Sequence, residues 1–502
     1  MLTAPGPSRA AASTFAAVLL VVTAAPQVAD AGSPRRAGPP PRRIELYTGA
    51  PSVLPGEPVV LHVSTPAKTY GLRAYREATD AAGGHAEVIA ARAVGRPGVD
   101  QPPPTVDEAH TARAGWRDTD SISTVGWAPG VYTIAALDSN RTRGQAIVVV
   151  RTPVIDRNAP LYVVPVMTYQ AYNMWGGASM YVSHRGIRTW RVSFDRPYQT
   201  GVGAWRSMRE NKLVGWLAAS FPRLQFTTDY DLTITPPAVP PPLVIFGTHT
   251  EYVTRELRAW LDEEVIERGR MSLVNFGANM SYWQVRLDPA APGQTTPREV
   301  TCYRNDGLPG YPLDPVAGAL STSLFRSAAV DRPEGRLLGA QFVAVLGNGK
   351  TRYPATVSTA TPPGLLAGTG WSAGTVVEGL LTGEGDGSYP DREAPISEVL
   401  SGFALDHERG TPVLVSSVVK AYPSGGRVFN ASTFGWADAL PPQFVSTGVP
   451  EESFGRFTIN VLSWAAAGPA PDPVPSPAPD PAPPAPSSPL VGPGAPGALR
   501  SR

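Results

Sequence analysis

The run 161–167 (Leu-Tyr-Val-Val-Pro-Val-Met) is apolar almost throughout, and similar runs recur at 242–247 (Pro-Leu-Val-Ile-Phe-Gly) and 272–277 (Ser-Leu-Val-Asn-Phe-Gly). A strand without polar alternation has no face to turn toward water, so it is covered on both sides, as in a parallel sheet between helices. Helical spacing of Leu213, Trp216 and Leu217 follows the first run. Leu257, Leu261, Val265 and Ile266 mark one face of a helix over 254–268, and 224–229 reads as a further strand. Later strands are expected at 341–346, 412–417 and 427–430. From residue 160 onward the predicted fold class is therefore α/β, with a parallel sheet.

The chain upstream reads differently. Short runs with β-branched residues at 43–47, 58–64, 70–75, 130–137 and 146–151 are separated by Pro and Gly turns. Such spacing predicts a small immunoglobulin-like β-sandwich over 43–152, with a polar, Pro-rich insertion at 83–120. The ends are simpler. Arg9, an apolar core at 15–22 and Ala29-Asp30-Ala31 fit a secretory signal over 1–31, cleaved near Ala31. The apolar core is too short for a permanent span. A Pro/Arg linker fills 32–42, the α/β domain is bounded at 160–465, and the tail from 468 to 502 is Pro-rich and unable to build a core.

Net charge of +1 gives no basic excess for nucleic acid or an anionic membrane. A single cysteine, Cys302, excludes an internal disulfide framework and a Cys-rich metal site. Chemistry must come from other residues. Where the strand at 242–247 ends, Thr-His-Thr-Glu-Tyr follows, and alternate positions place His249 and Glu251 on one side. Strand ends of this kind form the ligand crevice of open α/β sheets. A plainer account makes Glu251 a complement to the helix dipole and His249 a local hydrogen-bonding residue. Asn279, after the strand at 272–277, can orient a water or an amide, or simply serve a turn. Tyr169, Tyr172 and Tyr181 follow the first strand, with Gly176 and Gly177 allowing a reversal; tyrosines so placed usually serve packing, and only the coincidence with Glu251 raises a ligand role. Phenolates and a carboxylate are hard anionic donors and would favour a ferric ion.

These segments resemble one family. Thr168, Ala171, Tyr172 and Asn173, then Gly176, Gly177, Ser179 and Tyr181, look like the opening of the C-terminal domain of N,N-dimethylformamidase large (beta) subunits. The segments 192–198, 248–252, 276–283 and 428–436 continue the likeness, which covers roughly 160–465. The resemblance implies a class I glutamine amidotransferase-like (flavodoxin-like) three-layer domain. It also implies a mononuclear Fe3+ held by Tyr172, Tyr181 and Glu251, with His249 and Asn279 orienting substrate or water. A further acid/base residue matches Glu384, in the glycine-rich stretch 383–387. The chain departs from the family in a short spacing between the two tyrosines, in its compact N-terminal part, in lacking any segment like the small helical subunit, and in its export signal. These departures bear on the dimethylformamide substrate more than on the metal site.

The reading that follows is a secreted iron-dependent hydrolase of C–N amide bonds in a small-molecule substrate, with Glu384 as general base. Metal would act as Lewis acid on the carbonyl or supply a bound hydroxide. A homo-oligomer is left open. The alternative is a secreted module of the same fold that binds a ligand without turning it over. A third reading takes 370–374 (Gly-Trp-Ser-Ala-Gly) as a nucleophile elbow presenting Ser372, with Asp406 and His407 downstream. No strand feeds that elbow, and the adjacent Asp-His pair is not spaced as a triad needs. The motif 347–351 (Gly-Asn-Gly-Lys-Thr) reads as a hairpin turn rather than a phosphate loop. Asn140, Asn279 and Asn430 match the glycosylation acceptor pattern.

Overall fold

The computed structural model describes residues 43–79, 85–181, 188–199, 209–290, 295–304, 312–347, 350–390 and 394–468. The expected signal segment, the linker, all but the first residue of the tail and the Asn348-Gly349 turn lie outside them. The Pro- and Gly-punctuated N-terminal part forms strands β1 (Glu45–Thr48), β2 (Ser52–Val53), β3 (Val59–Ser64), β4 (Thr69–Thr79), β5 (His85–Pro97), β6 (Asp120–Ile122), β7 (Gly130–Asp138) and β8 (Arg143–Val150). They assemble as a three-stranded sheet, β1-β3-β6, and a five-stranded sheet, β2-β8-β7-β4-β5. Strict alternation in β3 turns Val59, Leu61 and Val63 inward. They share a core with Leu72, Ile134 and Val148 of the larger sheet. The expected insertion at 83–120 is in part β5, which pairs along the length of β4.

The five-stranded sheet has a second buried face. Val131, Ile147 and Val149 pack into the same core as Tyr162, Val164 and Leu213 from the following segment. The sandwich is therefore not free-standing, and the chain from Arg43 belongs to one compact unit.

Strands β9 (Leu161–Val164), β10 (Gln225–Thr228), β11 (Leu243–Phe246), β12 (Ser272–Asn275), β13 (Tyr353–Val357), β14 (Val376–Leu381), β15 (Glu384–Ser388), β16 (Ile396–Leu405), β17 (Pro412–Ala421) and β18 (Arg427–Asn430) follow. All but β15 join one nine-stranded sheet, ordered β10-β9-β11-β12-β18-β17-β16-β13-β14. Its first five strands are parallel. The apolar runs read from sequence are β9, β11 and β12, each buried at every position. Helices α1 (Val166–Tyr172), α2 (Glu210–Ser220), α3 (Arg255–Leu261) and α4 (Glu451–Ala466) accompany them. Alternate strand residues meet different helices. Ile245 and Val274 share a core with Leu213 and Leu217 of α2 and with Phe457 and Val461 of α4. Val244 and Leu273 share another with Leu257 and Leu261 of α3. Each such buried side chain contributes at most roughly 1.5–3 kcal/mol.

The expected flavodoxin-like three-layer α/β domain with a parallel sheet does not form. Strand makes up 36% and helix 18% of the structure, in large mixed sheets. The cause lies beyond residue 340. A parallel sheet needs a long crossover for each added strand, whereas hairpins need only a turn. Here β16 and β17 are joined through a short turn in which Asp406 N–H bonds Thr411 O, and β17 and β18 through one in which Tyr422 N–H bonds Gly426 O. The remaining strands therefore add antiparallel. The helix expected over 254–268 is α-helical only to Leu261 and continues as a π-helix over Asp262–Glu267. No helix among the described residues is long and apolar enough to cross a membrane.

Candidate active site

Three chain segments meet at the ends of the parallel strands. The first is α1, which leaves β9 and ends at Tyr172. After it the chain reverses through Gly176 and Gly177, and Met180 N–H donates back to Ala171 O at 3.0 Å. That places the ring of Tyr181 on the ring of Tyr172, with centroids 5.1 Å apart and planes 26° from parallel. The turn is built around Arg196, which is 1% exposed. Its guanidinium donates to the carbonyls of Gln170 (2.8 Å), Trp175 (3.1 Å) and Ser193 (3.1 Å).

The second segment is the loop after β11. Glu210 of α2 is fully buried and accepts from Thr248 N (2.8 Å) and Thr248 Oγ1 (2.7 Å). Gly247 makes this possible, because a Cβ there would lie 1.6 Å from Glu210 Oε1. Ser281 N–H donates to Thr250 O, and Tyr282 and Trp283 N–H to Glu251 O, at 2.9–3.0 Å. The loop is thus fixed against the one that follows β12. His249 and Glu251 emerge from it 1% and 3% exposed.

The third segment is β15, which pairs with strand Ala340–Val345 and brings Glu384 opposite Val345. The glycines of this stretch allow close packing. Gly383 has φ +74°, and a Cβ there would lie 2.4 Å from the Phe434 ring.

The side chains form one network. Tyr172 O–H donates to Glu251 Oε2 at 2.6 Å. His249 Nε2 is 3.2 Å from the Tyr172 hydroxyl and 3.3 Å from Glu251 Oε2, and its Nδ1 is 3.9 Å from Glu384 Oε2. Behind Glu384, Asp386 accepts from Asn279 N (2.9 Å) and Asn430 Nδ2 (2.9 Å), and Asn430 in turn accepts from Asn275 Nδ2 (2.6 Å). Asn279, Ser281 and Ser432 all have φ near +60° without being glycine. Backbone strain of this kind, about 1–3 kcal/mol per residue, gathers at functional sites. Glu384 Oε2 and Asn279 Oδ1 are buried without a hydrogen-bond partner among the described residues.

The electrostatics follow from burial. Burial raises the Glu384 carboxyl to about 7, with the His249 cation opposing the rise and Glu251 adding to it. Burial alone would lower His249, but the carboxylates of Glu384 and Glu251 prevail and push it up to about 9. Burial, then Glu251 and Glu384, raise the phenols of Tyr172 and Tyr181 above their usual value. At neutral pH the site therefore holds an imidazolium, a carboxyl near its midpoint and two protonated phenols.

Among the described residues, no group of three or more His, Cys, Asp or Glu side chains is placed to hold a metal ion. Any metal here depends on the phenols. Tyr172, Tyr181 and Glu251 offer hard oxygen donors, and the proton shared between Tyr172 and Glu251 lies where a highly charged cation would replace it. Hard anionic donors of this kind are those a ferric ion would take.

Tyr172, Tyr181, His249 and Glu384 line one cavity of about 600 Å³, together with Phe434, Arg209, Arg352 and Asp438. That is within the usual range for small-molecule sites. Ser372 is elsewhere, in an exposed turn with its N–H on Thr375 Oγ1, while Asp406 pairs with Arg409. Cys302 is buried. Asn279 and Asn430 are buried too, unlike exposed Asn140. Sequence reasoning missed Arg196, Glu210, Asp386 and Arg304. Arg304 is 4% exposed, stacks over Trp283 at 4.8 Å and donates to the Tyr252 hydroxyl.

A family model described as N,N-dimethylformamidase beta subunit-like, C-terminal, matches residues 73–448. No curated protein matches the chain. One solved structure, a Paenibacillus sp. cycloisomaltooligosaccharide glucanotransferase complexed with cycloisomaltoheptaose, is 9% identical over 76% of this chain and 68% of that one. Its TM-score of 0.16 is too low to bear on the fold.

Proposed function

Because the chain belongs to the N,N-dimethylformamidase beta subunit-like, C-terminal family, we propose that it is an exported hydrolase of C–N amide bonds. The observation that carries the reading is the Tyr172–Glu251 pair at 2.6 Å, whose Tyr172 lines a cavity together with His249 and Glu384. Tyr172, Tyr181 and Glu251 would hold a ferric ion. When bound, such an ion supplies Lewis-acid polarisation of the substrate carbonyl.

The chain's own residues divide the remaining work. Glu384, raised to about 7, is poised to take a proton from the attacking water and return one to the amine that leaves. Protonated His249 donates toward the oxygen on which negative charge develops, and Asn279 orients the water beside Glu384. Asp386 holds the Asn279 backbone through its N–H. Phe434, against the His249 ring at 4.7 Å, limits water on that side. The sum is amide plus water giving carboxylic acid plus amine. The test is amine release from a panel of formamides and acetamides by iron-loaded protein. Turnover by the parent protein, lost in Glu384→Gln, supports the reading. Absence of turnover across the panel opposes it.

A further inference from the structure

The cavity is larger and more charged than a simple neutral amide requires. Five heavy atoms, the size of dimethylformamide, fill roughly 150 Å³ at a water-like ~30 Å³ each. The cavity offers about 600 Å³. Part of its lining is basic: Arg209, Lys350 and Arg352, with Asp438 between the two arginines. Asp438 is 3% exposed and pairs with Arg209 Nε at 3.0 Å and with Arg352 Nη2. One carboxylate thus serves two guanidiniums and leaves positive charge over. The charges acting on Glu384 are instead His249, Glu251 and Asp386. The cavity therefore has two electrostatic regions, one around His249 and Glu384 and one around Arg209 and Arg352.

Arg352 is fixed before any ligand arrives. Its Nη1 donates to Gly379 O at 3.1 Å, and its side chain is only 18% exposed. Arg209 is 47% exposed and lies in left-handed backbone geometry at the start of α2. With two of its five N–H donors so engaged, the Arg352 guanidinium keeps three for a further acceptor such as a carboxylate, at little entropic cost.

We infer that the substrate is an amide that also carries a carboxylate, of the N-acyl amino acid type, and that Arg209 and Arg352 bind that carboxylate while the amide lies against Tyr172, His249 and Glu384. The inference rests on the hydrolase reading for its amide, but not for its anion site. Hydrolysis gives a carboxylic acid and a free amino acid, with water supplying the added oxygen and hydrogens.

The test uses the full iron-loaded chain and matched pairs: N-formyl-, N-acetyl- and N-benzoylglycine against the corresponding glycinamides. Glutarate, which has no amide, is titrated calorimetrically beside them. The expected result is at least a tenfold preference in kcat/KM for the carboxylates. Arg352→Met and Arg209→Gln should each weaken glutarate binding at least tenfold, with Arg352→Lys retaining part of it and salt weakening it in the parent. Should Arg352→Met fail to fold, Arg209→Gln carries the comparison. Equal turnover of neutral and anionic members, unaffected by either substitution, overturns the anion site and leaves the hydrolase reading standing. Glutarate binding that depends on Arg352, with no amide turned over, supports the anion site and sinks the hydrolase reading. Failure of both turnover and glutarate binding overturns both.

Discussion

Tyr172 donates to Glu251 at 2.6 Å across 79 positions of sequence, joining the helix after β9 to the loop after β11. Both groups are oxygen donors, and His249 lies within 3.3 Å of each. A buried phenol, carboxylate and imidazole this close make a site whose protonation is set by its neighbours rather than by solvent.

Replacing Glu384 by Gln keeps shape while removing the proposed base. Turnover should fall by roughly 10²–10⁴-fold. The melting temperature should move by only a few degrees, since the lost group is one that burial already disfavours as an anion. Steady-state kinetics beside calorimetric melting checks both halves.

Asp386 gives a pH signature of stability. Burial raises its carboxyl to about 6, with Asn430 and the Asn279 N–H opposing the rise. A folded-state pKa above the unfolded value contributes stability that is complete below pH 3.8 and lost as pH rises through 6. Against Asp386→Asn, the parent should therefore lose roughly 2 kcal/mol of relative stability between pH 4 and pH 7. Urea unfolding at several pH values reads the difference, and parallel curves would contradict it.

Arg196→Met should destabilise the protein by about 1–3 kcal/mol, because it removes the guanidinium donor from the carbonyls of Trp175 and Ser193 and leaves Gln170 O with the Asn173 N–H. Tyr181 should become more accessible at the same time, which hydrogen exchange over 170–181 would detect.

Gly383→Ala tests how Glu384 is placed. The methyl group meets Phe434 at 2.4 Å and the residue keeps φ +74°. Strain of about 1–3 kcal/mol is expected, with a loss of turnover larger than the loss of stability. A variant that melts lower yet turns over normally would show that Glu384 is not positioned by this contact.

The parallel half of the large sheet was legible in the sequence, because β9, β11 and β12 are apolar at nearly every position. The antiparallel half was legible only in part: strands were expected at 412–417 and 427–430, where β17 and β18 form, but not where β13, β14 and β16 form. Residues 353–357 and 376–381 are short and interrupted by Pro354 and Gly379, so a strand there depends on partners far along the chain. In the site, Tyr172, Tyr181, Glu251, His249, Asn279 and Glu384 were assigned through the family likeness. Chain geometry brings Tyr172, His249, Glu251 and Glu384 within 3.9 Å of a neighbour in the group. Arg196 and Glu210 carried no signal, since an arginine in an Arg-rich chain and an acid at a helix start look like surface residues. Asp386 was hidden among glycines that carry no strand pattern of their own but allow β15 to pack against Val415 and Leu346.

Iron content and visible absorption of the purified protein, beside Tyr172→Phe, test the central claim most directly. The account predicts one iron per chain and a tyrosinate-to-iron charge-transfer band that is weakened and shifted in the variant. A colourless protein that takes up no iron would contradict it.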